Sequence, residues 1–187
     1  MFEKAIAYVK GRFPDRQNII GVYAFVVFFV YAWTLLVSFY KIPSWILFLT
    51  PSQILSIYAY NFSVNLLESF FVLLCLLVLD YTIFLPLKNK EEFQARSIFI
   101  AVILLASSMW RLIEFQEYSD VSAFVSGERA WWLYTLAIAF PVAILAPKIK
   151  KVREILQEAA DRLSIFLYVY LPLSFISLVV LIIRNIS

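Results

Sequence analysis

The chain predicts an all-α, polytopic membrane bundle of five transmembrane helices, and three observations carry that reading. Hydrophobic residues make up 63% of the 187 residues and charged ones only 16%, with a mean hydropathy of +0.85. The apolar residues gather in five long stretches, 19–40, 61–87, 97–115, 131–147 and 163–183. Lys and Arg alternate between the flanks: four precede the first stretch, and one, three, two, five and one follow in turn, so twelve of the sixteen fall on one side. A helix rises ~1.5 Å per residue and must cross ~30 Å of hydrocarbon, so ~20 apolar residues make one span. The positive-inside rule makes the basic flanks cytoplasmic, which puts the N-terminus inside and the C-terminus outside. The expected location is the plasma (cell) membrane.

The elements follow in order. Ahead of the first span, Phe2, Ile6, Val9 and Phe13 share one helical face, with Lys4, Lys10, Arg12 and Arg16 around the rest. This predicts a short amphipathic segment on the cytoplasmic leaflet, ended by Gly11 and Pro14. The stretch 19–40 is too long for a signal-peptide core and no small-x-small site closes it, so no cleavable signal is expected. Residues 41–60 are apolar but contain Pro43 and Pro51. A sixth crossing there would carry Lys88, Lys90 and Arg96 outside and erase the charge asymmetry. An interfacial or re-entrant segment on the outer face is therefore expected.

The second span carries Glu68 and Asp80 and leads to a cytoplasmic loop at 88–96. The third has only fourteen uncharged residues, from Ser97 to Trp110. At ~21 Å that is too short to cross, so the span must run on to Phe115 and immerse Arg111 and Glu114. An outer connection at 116–130 follows. The fourth and fifth spans contain Pro141 and Pro172, candidate hinges. Between them, at 148–162, Ile149, Val152, Leu156, Ala159 and Leu163 recur at helical spacing, predicting a cytoplasmic amphipathic helix that runs unbroken into the last span. Lys148, Lys150, Lys151 and Arg153 crowd its start, against the helix dipole. Anionic lipid head groups, at about 1 kcal/mol per basic residue near the surface, would offset this. Trp45, Trp110, Trp131 and Trp132 mark the outer boundary as an aromatic belt.

Composition excludes much chemistry. The chain has no His, one Cys and three Gly. His-based zinc or haem ligation, Ser–His or Cys–His nucleophiles, an intrachain disulfide, a phosphate-binding glycine loop and a GxxxG face are all ruled out. Glu91-Glu92-Phe93-Gln94-Ala95-Arg96 matches the Glu-Glu-x-x-x-Arg pattern of CAAX-type membrane proteases, but those enzymes also need His in later helices. Connections of this length leave no room for an extramembrane domain. No catalytic residue, cofactor or metal site is expected, and the membrane flanks account for the basic residues without nucleic acid. Close helix approach would use Ala101, Ala106, Ser107 and Ser108. Cys75, among leucines, reads as a small buried hydrophobe.

What remains is a candidate intramembrane polar site: Asn65, Glu68, Asp80, Arg111 and Glu114. Asn61, Asn65 and Glu68 fall on one helical face, continued by Val72 and Cys75, while Asp80 is rotated by about 120° and within reach of Lys88 or Arg96. Glu68 is expected to pair with Arg111, with Glu114 as competitor. The expected function is that of a non-catalytic membrane subunit or scaffold acting through protein partners or as a homo-oligomer. The alternative is a small oligomeric transporter or channel using Glu68, Asp80 and Arg111.

Overall fold

The computed structural model describes residues 14–82, 90–117 and 121–186, which are helical almost throughout. Five long helices follow one another: α1 (Arg16–Phe48), α2 (Pro51–Thr82), α3 (Lys90–Glu117), α4 (Val121–Leu145) and α5 (Lys150–Ile186). A single tight turn, Ala146–Lys148, joins the last two. Each of the five contains a window long and apolar enough to cross a membrane. The amphipathic segment expected at residues 1–13 and the loop residue Lys88 lie outside the described residues.

Side-chain pairs fix the relative directions of the helices. Asp80 meets Arg96 at one end of the bundle and Arg111 meets Glu128 at the other. Gly21 lies beside Gln94 and Ala160 at the first end, and Arg184 bonds Ser56 at the second. The helices therefore alternate up and down. Their first end, which carries Arg16, Lys90 and Lys150, is called the basic end below.

Helix α1 is the axis of the bundle. Residues 21–27 are buried on every side, as expected of a helix that is apolar all round. It packs against α2, α3 and α5, whereas α4, among the described residues, packs only on α3 and the tight turn. Hydroxyl pairs tie the helices: Tyr31 Oη to Ser174 Oγ at 2.6 Å, Tyr23 Oη to Ser69 Oγ at 3.3 Å, and Thr34 Oγ1 donating to Asn65 Oδ1 at 3.0 Å. Where lipid cannot drive helices together by hydrophobicity, such bonds and close packing hold them. Stacked rings add to this, with Tyr31 lying between Phe62 and Tyr170 at 5.8 and 4.6 Å. Both proline-bearing spans continue as helix through Pro141 and Pro172. The Tyr31–Ser174 bond holds α5 to α1 beside Pro172.

Two connections are more helical than the sequence suggested. Residues 41–60 form no separate non-helical segment. Instead, α1 continues through Pro43 to Phe48, and α2 starts at Pro51. Only Leu49 and Thr50 break the helix, Leu49 being extended. The break has a local cause: Thr50-Pro51-Ser52-Gln53 is a capping box with proline at the first helical position. Thr50 N–H donates to Gln53 Oε1 at 2.8 Å, and Gln53 N–H points back to Thr50 Oγ1 at 3.4 Å. The outer connection at 116–130 is likewise mostly helix, because α4 begins at Val121. By contrast, residues 150–162 run into the fifth span in one unbroken helix of 37 residues, as the periodicity implied.

Candidate functional site

Arg111 is engaged at all three of its guanidinium nitrogens. It sits six residues before the end of α3 at Glu117, facing α4, and is only 8% exposed. Its Nη1 donates to Glu114 Oε2 at 2.6 Å, three residues along the same helix, where side chains naturally meet. Its Nε donates to Glu128 Oε1 at 2.7 Å across the α3–α4 hairpin, and Nη2 to the Phe124 carbonyl at 3.0 Å. The Phe124 ring lies flat beneath the guanidinium, 3.7 Å from centroid to Cζ, with Trp131 further off at 5.4 Å. Trp132 Nε1 donates to the second oxygen of Glu128 at 2.9 Å. A planar cation with five donors in a fixed fork suits this multidentate site. Next to it Ser107 Oγ, Thr135 Oγ1 and Trp131 Nε1 form a second α3–α4 tie at 2.7–2.8 Å.

The expected Glu68–Arg111 pair is not formed. Arg111 turns to α4, its close partner, and takes Glu114 and Glu128 instead; Glu68 is exposed and forms no ion pair among the described residues. Glu128 was missed in the sequence because residues 116–130 read as a connection. Its position, seventeen residues after Arg111 and four before Trp132, is the spacing a helical hairpin gives to facing residues.

Asp80 lies at the basic end, where its Oδ1 accepts from Arg96 Nη1 at 2.9 Å. Arg96 also reaches Glu92 at 3.3 Å, and its side chain is 4% exposed. Fifteen residues of α3, roughly 22 Å, separate this cluster from Arg111. Asn65 and Glu68 also part company. Asn65 is buried against α1 and accepts from Thr34, while Glu68, one helical turn on, faces outward. The polar stripe of α2 is therefore split between the core and the surface. Ala101 is buried, as the small-residue reading implied, and Ser107 joins the α4 tie, but Ala106 is exposed.

Beneath the Arg111 cluster a cleft of ≈ 380 Å³ opens between α2 and α3. Glu68 stands at its outer rim with Ser108 and Trp132; Val72, Cys75, Leu76, Leu79, Ile100, Ala101, Leu104 and Leu105 line it below. Cys75 is thus exposed in this cleft rather than buried. A second hollow of ≈ 280 Å³ adjoins it, lined by Arg111, Phe115, Phe124 and Glu128 and sharing Ser108 and Trp132 with the first. Chemically the two make a largely apolar slot lined by two carboxylates, Glu68 and Glu128, and one guanidinium, Arg111, of which Glu128 and Arg111 are already paired with each other. Among the described residues no group of His, Cys, Asp and Glu could hold a metal ion. No family model matches the chain, and neither a curated protein nor a solved structure matches it.

Proposed function

We propose that the chain is a non-catalytic membrane subunit whose α2–α3 cleft receives a transmembrane helix of a partner protein, with Glu68 meeting a cationic side chain of that helix. The observation that carries this reading is the contrast between Glu68 and the other intramembrane charges. Arg111 is matched by two carboxylates, and Asp80 and Arg96 by each other, whereas Glu68 is left exposed at the rim of an apolar slot. A charge in the bilayer costs ~2.5–3.5 kcal/mol at the centre and less towards the surface, so such a group favours a partner of opposite sign. Transport by way of Glu68, Asp80 and Arg111 is less favoured. Asp80 and Arg111 lie at opposite ends, and the cleft wall between them, from Ile100 to Leu105, is apolar.

Cys75 provides the test, because the chain's single cysteine lines the cleft. A photo-activatable maleimide attached there in native membranes is expected to cross-link a hydrophobic segment that itself carries Lys or Arg, and Glu68→Gln is expected to suppress the adduct. Adducts with lipid alone would refute the proposal. So would a homodimer, or an adduct indifferent to Glu68→Gln.

A further inference from the structure

Each wall of the α2–α3 cleft carries a pair of residues seven positions apart: Glu68 and Cys75 on α2, Ala101 and Ser108 on α3. We infer that the partner helix lies along α2 in a left-handed, shallow crossing and carries a Lys or Arg with a small residue (Gly, Ala or Ser) seven positions from it towards the basic end. This rests on the docking reading and adds to it the register and sequence signature of the occupant.

The ion pair below the cleft sets the register of its walls. Asp80 and Arg96 meet at 2.9 Å, and α2 and α3 run in opposite directions. Five residues back along α2 and five on along α3 bring Cys75 opposite Ala101, and twelve bring Glu68 opposite Ser108. At ~1.5 Å per residue the two rungs stand about 7.5 and 18 Å from the ion pair. All four residues line the one cleft, as this count requires.

The rungs differ in chemistry and in room. Among the described residues, neither Glu68 nor Ser108 has a hydrogen-bond or ion-pair partner, so the outer rung offers a cation two acceptors. The inner rung is a thiol facing a methyl, close to where Asp80 and Arg96 draw the helices together. Ala101 and Leu76 line the cleft there yet are only 2% and 4% exposed, whereas Phe71 near the outer rung is 65% exposed. A helix backbone reaches the inner rung only behind a small side chain.

The crossing angle follows from the spacing. Asn61 lies seven residues from Glu68 on the side away from Cys75, and its amide also has no partner among the described residues. Three polar groups at seven-residue steps drift only ~20° per step around a straight helix. A second helix keeps to that line by crossing at about 20° with left-handed twist. Val64, Phe71 and Val78, each more than half exposed, run beside the column at the same period and give the occupant an apolar flank.

The test uses the full chain in phosphatidylcholine nanodiscs and synthetic transmembrane peptides. The peptides are a polyleucine host with one Lys and one Ala seven residues away, made in both orders to sample either direction of insertion. Bound peptide is read by native mass spectrometry across a titration. One order is expected to bind about tenfold or more tightly than the same peptide with Phe in place of Ala, the factor set by one overpacked contact. Glu68→Gln should abolish binding. Ala101→Leu, which fills the inner rung from the other side, should weaken the favoured peptide as Phe does, and its thermal midpoint without peptide reports separately on folding. If Lys peptides bind equally whatever stands seven residues away, while Glu68→Gln still abolishes binding, the docking reading stands and the register is overturned. A preference for Ala four residues from Lys rather than seven also overturns it. If polyleucine without Lys binds as tightly, or no Lys peptide binds, the docking reading and the register both fall.

Discussion

Replacing Arg111 with leucine removes the cation at the centre of the α3–α4 contact while keeping an apolar side chain against Phe124. The change strands the carboxylates of Glu114 and Glu128, whose side chains are 31% and 29% exposed, together with the Phe124 carbonyl. Breaking a fully buried ion pair costs ~3–5 kcal/mol, mostly because the remaining charge loses its partner. Here each acid keeps about a third of its surface, and Glu114 can turn outward, so about 2–3 kcal/mol is expected. Glu128 is less free, because Trp132 Nε1 holds its second oxygen. Adding Glu128→Gln to Arg111→Leu should therefore recover about 1 kcal/mol, since a neutral amide is cheaper to leave without the guanidinium. Adding Glu68→Gln should recover nothing. The assay is a double-mutant cycle on thermal unfolding of the detergent-solubilised protein, where about 2–3 kcal/mol corresponds to roughly 5–10 °C for a chain of this size. Recovery by Glu68→Gln, with none by Glu128→Gln, would refute the clamp and restore the pairing expected from sequence.

Three further outcomes can be checked alongside it. Single cysteines at positions 90 and 125, in a Cys75→Ser background, should label from opposite sides of the membrane with an impermeant maleimide, because these positions lie at opposite ends of the bundle; labelling from the same side would reject five alternating crossings. Thr50→Val should lower stability by about 1 kcal/mol through loss of the capping box, and hydrogen exchange should rise locally at residues 51–54; unchanged exchange would mean that proline alone sets the break. Tyr31→Phe should cost ~1 kcal/mol by breaking the 2.6 Å bond to Ser174, and Ser174→Ala added to it should cost little more; fully additive losses would show that the hydroxyls act independently.

The spans were legible because ~20 apolar residues in a row have few soluble alternatives, and the long α5 was legible because its stripe never loses helical period. The errors arose where one residue type was read without its neighbours. Pro43 and Pro51 together look like helix breakers, yet Pro43 sits within α1, and Pro51 occupies the first helical position, where a missing N–H costs nothing. Thr50 and Gln53 were the readable signal of that start. Asn65 and Glu68 are about 60° apart on a helical wheel, close enough to suggest one face. Thr34 on α1 draws Asn65 inward and leaves Glu68 outside, and that choice depends on how the helices assemble. Glu128 escaped notice because a charged stretch between apolar runs resembles a loop. The Asp80–Arg96 contact was legible because a short connection between antiparallel helices brings its flanks together.

The charged residues of the spans divide the work of shaping one cleft. Asp80, Arg96 and Glu92 pin α2 to α3 at the basic end, below Leu79 and Ile100. At the far end Arg111 binds not α2 but α4, which among the described residues has no other long helix to lean on than α3. Helices α2 and α3 are thus joined at one end and held by α1 behind, while their outer halves are free to stand apart around Ala101 and Leu104. Trp132 completes the arrangement, since its indole both anchors Glu128 and walls the cleft opposite Glu68. The clamp therefore serves the cleft without facing it: it fixes α4, α4 presents Trp132, and Trp132 bounds the space into which Glu68 looks. An arginine matched by two acids has no charge left to attract a ligand. Glu68, set at the mouth of the cleft those pairs build, does.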